Sequence, residues 1–240
     1  ATGTGRTWGN ALVWKEFHFL TGGPPFLFLK LVAYALLYAG LIGMEWWNTT
    51  YNGANFNDQS IIQTHFAIVI GVLAIEAAIF ASRLFHDEVR AQTLSSLMML
   101  PVSIAYLGYS KVGGALLGLT ASLLVLLADS LMLTGNLKDW LEVAFHPGLW
   151  FPLVMYSIFL HLVVLLSLFV RWGALPLAIF VMFLFTNCCP LMFLGMAFSD
   201  GDTAGLATLI GLAIAATMFA VTTFVFQMMI HARLYELGAK

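Results

Sequence analysis

The stretch LWFPLVMYSIFLHLVVLLSLFV, residues 149–170, runs for 22 positions without an Asp, Glu, Lys or Arg. As a helix rising 1.5 Å per residue it reaches about 33 Å, enough to cross the roughly 30 Å hydrocarbon core of a bilayer. A strand is excluded there, because lipid offers no hydrogen-bond partner to an open edge. The run therefore reads as a transmembrane helix, and lipid is the solvent in which its neighbours must be read.

Similar runs lie on both sides of it. Phe26 to Met44, Ile61 to Phe85 and Leu107 to Leu133 precede it; Ala174 to Phe198 and Leu206 to Ile230 follow. The expectation is an all-α integral membrane protein with six spans, forming one bundle over residues 26–230. The composition agrees: of 240 residues 61% are hydrophobic and only 9% charged, where a soluble domain carries about 25%. A β-barrel would need alternating segments of about ten residues, which are absent. The polar stretches from Glu45 to Ser60, Thr134 to Gly148 and Ser199 to Asp202 fall on one side if six spans alternate. Arg6, Lys15, Lys30, Arg83, Arg90, Lys111, Arg171, Arg233 and Lys240 fall on the other, nine of the ten basic residues, with Lys138 alone across. The positive-inside rule then puts both termini in the cytoplasm. No basic region precedes a short apolar stretch, so a cleavable signal peptide is not expected.

Several function classes are disfavoured. A net charge of -2 leaves no basic face for nucleic acid. Cys188 and Cys189 are adjacent, which fits neither a disulfide framework nor a zinc site. The six His include no pair at metal-ligand spacing on one helix. No Ser/His/Asp set or paired carboxylates mark catalytic residues, so an intramembrane enzyme is disfavoured.

Two segments are not spans. In Trp8 to Leu20, Val13, Phe17 and Leu20 recur at helical spacing, with Lys15 and His18 on the other side. That predicts an amphipathic helix in the membrane interface within residues 1–25. Gly22-Gly23-Pro24-Pro25 ends it, because two prolines cannot continue the hydrogen-bond ladder. The second segment, HDEVRAQTLSSLMMLPV at 86–102, predicts a short helix with Asp87 and Glu88 in the first turn, where the dipole favours negative charge. Leu94, Leu97, Met98 and Pro101 share one side; Glu88, Gln92, Ser95 and Ser96 lie largely off it. A plain interfacial loop helix and a docking element for a soluble protein both fit this pattern.

Glu88, Thr93, Leu94, Leu97 and Pro101, followed ten residues later by Lys111, resemble the signature of ABC-2-type transporter permeases. There a glutamate-arginine cluster precedes Gly-Thr-Leu, then Leu, then Pro, then Gly-Lys opening the third span. Gln92 and Ser110 depart from it, standing where the family commonly has Gly. Trp14-Lys15-Glu16 and its aromatic neighbours also resemble the family's N-terminal connecting helix. The resemblance implies a permease of the cell inner (plasma) membrane that dimerises and pairs with P-loop ATP-binding subunits, and that is itself a transport component, not an enzyme. Residues 86–101 would be the coupling helix, with Asp87, Glu88, Arg90, Thr93, Leu94, Leu97 and Pro101 at the ATPase, and substrate would be exported along the spans of two copies. The chain contains no Gly-x-x-x-x-Gly-Lys-Ser/Thr loop, so ATP and Mg would be bound by the partner, and a fused ATPase is not expected at this length. A rival from another class is a non-transporting membrane anchor or assembly subunit of a larger complex.

Ionisable groups inside spans cost roughly 2.5–3.5 kcal/mol each at the helix centre on insertion scales. Glu76, Asp129 and His161 are the candidates. Glu76 and His161 are placed to pair, and Asp129 to reach the interface; a substrate or ion pathway and simple helix-helix glue are both open. These groups are too few for a proton relay. Asn187-Cys188-Cys189-Pro190 marks either a proline kink or, with Phe193 to Gly205, a re-entrant element. Gly113, Gly114, Gly118 and Ser122 form a small-residue stripe suited to close helix packing, between spans or between copies.

Overall fold

The computed structural model describes residues 10–53, 55–90, 93, 96–97, 99, 102–144, 147–170, 173–188 and 204–238; among them the regular structure is helical, with no strand. Its contacts divide the chain into two compact units.

The first unit takes the chain up to Phe80 together with Leu107–Leu141. Helix α1 (Ala11–Phe19) is capped by Asn10, whose Oδ1 accepts from the backbone N–H groups of Leu12 and Val13 at 3.2 Å each. The turn that follows needs glycine: Gly22 has φ 81°, and a Cβ there would lie 2.8 Å from the Phe26 Cβ. Helix α2 (Gly23–Asn52) then begins at once, with both prolines in its first turn. Pro24 and Pro25 therefore start the span as well as stop α1, since first-turn N–H groups have no partner within a helix anyway. The far end is also longer than expected. Glu45 to Asn52 continues α2 rather than forming a loop, and Gly53 closes it with φ 67°. The polar side chains there satisfy one another within the helix: the Thr49 and Thr50 hydroxyls each donate to the Trp46 carbonyl at 2.8 Å. Trp46 and Trp47 stay exposed beside them, as in an interfacial aromatic belt.

Helix α3 (Asp58–Arg83) starts where Asn57 Oδ1 accepts from the Ser60 N–H at 3.2 Å. The third expected span is two helices, α5 (Ile104–Gly118) and α6 (Thr120–Thr134), bent by 53° at Leu119. The short α4 (His86–Arg90) lies between α3 and α5 in sequence and belongs to the other unit. Thr134 to Gly148, expected as a loop, contains α7 (Leu137–Ala144), and Trp140 Nε1 donates to Ser130 Oγ at 2.9 Å.

The small-residue stripe has an intrachain use. A Cβ on Gly114 would lie 2.5 Å from Glu16 Cβ and 2.8 Å from the Val13 carbonyl oxygen, and one on Gly118 would overlap Thr21. The glycines let α1 and the residues just after it lie directly on the backbone of α5.

In the second unit, Ala81–Tyr106 joins the chain from Glu142 onward. Helices α9 (Ala174–Cys188) and α10 (Ala204–Gly238) pack against α8 (Pro147–Phe169), as does α4. Val163 and Ala178 are fully buried, with Phe159, Leu166, Leu175, Met182 and Phe226 around them. Helix α9 is described as far as Cys188, so the interruption at Cys189-Pro190 and the segment 193–203 lie outside the described residues. Helix α10 continues past Ile230 to Gly238, beyond the expected end of the span.

Among the described residues three helices are long and apolar enough to cross a membrane: Gly23–Asn52, Asp58–Arg90 and Pro152–Phe169. The bent pair α5–α6 makes a fourth if it counts as one span, and Ala174–Leu184 is a shorter apolar helix. Phe28, Leu36 and Ile75 are each more than 60% exposed, a surface suited to lipid.

Gly114→Val should force α1 off α5. The expected cost is about 1–3 kcal/mol from overpacking. It should appear as a lower melting temperature of the detergent-solubilised chain and faster hydrogen exchange in residues 11–19.

Candidate functional site

On α3, His65 and Glu76 are eleven residues apart, just over three turns, so they share a face about 16 Å apart along the axis. Lys30 and Tyr34 are one turn apart on α2. Lys111, Gly114, Gly118, Ser122 and Asp129 follow helical spacing along α5 and α6. These three stripes meet inside the first unit and carry its buried polar groups.

Lys30 lies at their junction. Its ammonium pairs with the Glu76 carboxylate and donates to the Gly118 carbonyl at 2.9 Å. The break at Leu119 explains the second bond. The Leu119 N–H turns back to the Leu116 carbonyl at 3.0 Å, a tightened turn at which the helix bends. A bend at this depth leaves backbone oxygen to be satisfied by a side chain. Lys30 also sits 5.0 Å from the Phe26 ring centre and 5.7 Å from that of Phe80.

From Glu76 the network continues along the bundle. Ser122 Oγ donates to Glu76 Oε2 over a long 3.5 Å, and the Tyr34 hydroxyl donates to Ser122 Oγ at 2.9 Å. Farther along, His65 Nδ1 meets Asp129 Oδ2 at 2.7 Å and Nε2 meets the Tyr34 carbonyl at 3.2 Å. The Tyr38 ring stands edge-on to the imidazole. Toward α1, the Lys111 ammonium donates to Glu16 Oε1 at 2.7 Å, with the two side chains 1% and 8% exposed. Asn10 Nδ2 donates to Ser110 Oγ beside it at 3.1 Å. Glu16, Glu76 and Asp129 of the first unit thus each face a basic group.

Two expectations need correction. Glu76 pairs with Lys30 rather than His161, because Lys30 lies within α2 and brings a full positive charge to the carboxylate. His161 instead bonds within its own helix, Nδ1 to the Ser157 carbonyl at 2.8 Å. Asp129 does not reach the interface; it is 5% exposed and held by His65. Lys30, Tyr34 and His65 were missed as members of the site, although His65 lies at helical spacing from Glu76 on α3.

The segment expected to couple is partly described. In α4 the Glu88 side chain is buried while Asp87 and Arg90 are exposed. The Thr93 N–H donates to the Glu88 carbonyl at 3.0 Å, and the Leu97 N–H to the Thr93 carbonyl at 3.1 Å. Thr93 and Met99 are exposed and Leu97 is half-buried. Leu94 and Pro101 lie outside the described residues.

A family profile described as "ABC-2 family transporter protein" matches residues 12–189. The chain belongs to the ABC-2 transporter family. The match runs from α1 into α9 and includes every buried pair described above. No curated protein and no solved structure matches the chain. Membership makes this ABC-2 chain a membrane transport component, and its buried charge pairs are then features of a transport protein.

A double-mutant cycle at Lys30 and Glu76 should show strong coupling. Glu76→Met alone strands an ammonium and should cost about 3–5 kcal/mol. Lys30→Met/Glu76→Met should cost clearly less than the sum of the single changes, measured by unfolding of the chain in lipid or mild detergent.

Proposed function

We propose that this ABC-2 chain is the permease subunit of an ATP-driven exporter, coupled to a separate P-loop subunit that binds ATP and Mg. In this reading two permease copies form the path, and each has six spans with both termini cytoplasmic. The three long apolar helices, the bent pair, α9 and α10 supply the spans. The segregation of nine basic residues supplies the orientation.

The family match carries the reading, and the segment 86–101 gives it a physical form. A coupling element must be fixed to the spans and still offer a surface to its partner. Glu88 is buried, and its carbonyl accepts from Thr93, which fixes the segment. Asp87, Arg90 and Thr93 are exposed and offer charge and a hydroxyl to a soluble protein. The chain runs directly from this segment back into α3 and on into α5. Those helices carry Glu76 and Lys111, one member of each of two buried pairs. A load at the segment therefore reaches groups that are costly to pull apart.

Arg90→Glu, at an exposed position, should reduce recovery of the P-loop ATPase with the permease at least tenfold while insertion stays normal. Glu88→Gln should act instead by loosening the segment and lower the melting temperature. A stable assembly with other membrane subunits and no ATPase would overturn the proposal in favour of an anchoring role.

A further inference from the structure

We infer that the His65–Asp129 pair is a proton-binding site, and that its bound proton holds α2, α3 and α6 together. Both nitrogens of the His65 ring face acceptors: Asp129 Oδ2 at 2.7 Å and the Tyr34 carbonyl at 3.2 Å. A neutral imidazole has one N–H. Opposite an ionised Asp129, a neutral ring would leave one of the two contacts with lone pairs face to face. One more proton satisfies both contacts. It makes either an imidazolium beside a carboxylate, or a carboxylic acid donating to Nδ1 while the Nε2–H donates to Tyr34. Both forms hold the same number of protons and are net neutral.

Neutrality matters because the two side chains are only 4% and 7% exposed. Without the extra proton the pair carries a net negative charge in a site where such charge is expensive. The groups around it do not compensate. From α2 the ring meets only the Tyr34 carbonyl and the Tyr38 ring; the Tyr34 hydroxyl is turned to Ser122. Lys30, farther along α2, is engaged by Glu76 and Gly118. Glu45 lines a cleft with Ser60 and Thr64 near the start of α3 and brings no positive charge to the pair.

This inference does not depend on the ATPase partner or on the direction of transport.

The full chain, labelled with 15N-histidine and 13C-aspartate and held in lipid nanodiscs, tests it directly by NMR at pH 7. His65→Asn and Asp129→Asn variants assign the signals. The expected result is two protons on the pair: both ring nitrogens protonated, or Nε2 protonated with the Asp129 carboxyl in its acid form. A single proton on the pair would overturn the inference.

Discussion

The bond from Lys30 to the Gly118 carbonyl, made while Lys30 neutralises Glu76, is the constraint on which the first unit depends. A helix broken in lipid cannot leave backbone oxygen to water. A Lys within a span cannot stay unpaired, and neither can a Glu. One ammonium answers all three requirements. It joins α2, α3 and the α5–α6 bend at one point, and each partner explains why the others are tolerated. Thr21 lies against Gly118 as well, so the segment joining α1 to α2 meets the same bend.

The other buried groups extend the same logic along the helices. Glu16–Lys111 ties α1 to α5, and His65–Asp129 ties α3 to α6. Buried pairs of this kind add little stability compared with well-packed apolar residues, but separating them is costly. Their effect is to specify which helix faces lie together. Apolar side chains cannot do this in a membrane, because lipid tails receive them equally well. The glycine stripe on α5 gives the complementary fit, bringing α1 close enough for Glu16 to reach Lys111.

In this membrane transport component, three buried pairs tie the helices of the first unit to one another. The segment after α3 lies at its covalent edge. Within that segment Glu88 is buried while Asp87 and Arg90 are exposed. The α5–α6 bend is bridged by a side chain rather than closed by helical bonds alone, which keeps its backbone satisfied in lipid.

Much of this was legible in the residues themselves. Uncharged runs such as 149–170 determine that the chain lives in lipid and is helical, because length and backbone satisfaction leave no other solution. The segment from Glu88 to Lys111 and the aromatic N-terminal helix determine the family resemblance, which the match over residues 12–189 bears out. Helical spacing also placed Gly114 and Gly118 on one stripe, and it would have placed His65 with Glu76. What the spacing could not supply was the partner across the gap. Glu76 was matched with His161 and Asp129 had an apparent exit to the interface; only the packing of three helices chose Lys30 and His65. The bend at Leu119 was equally hidden, because the side chain that satisfies it, Lys30, lies eighty-eight residues from Gly118 in sequence. Local pattern determines which face of a helix is buried, whereas the identity of what it is buried against is a property of the assembled bundle.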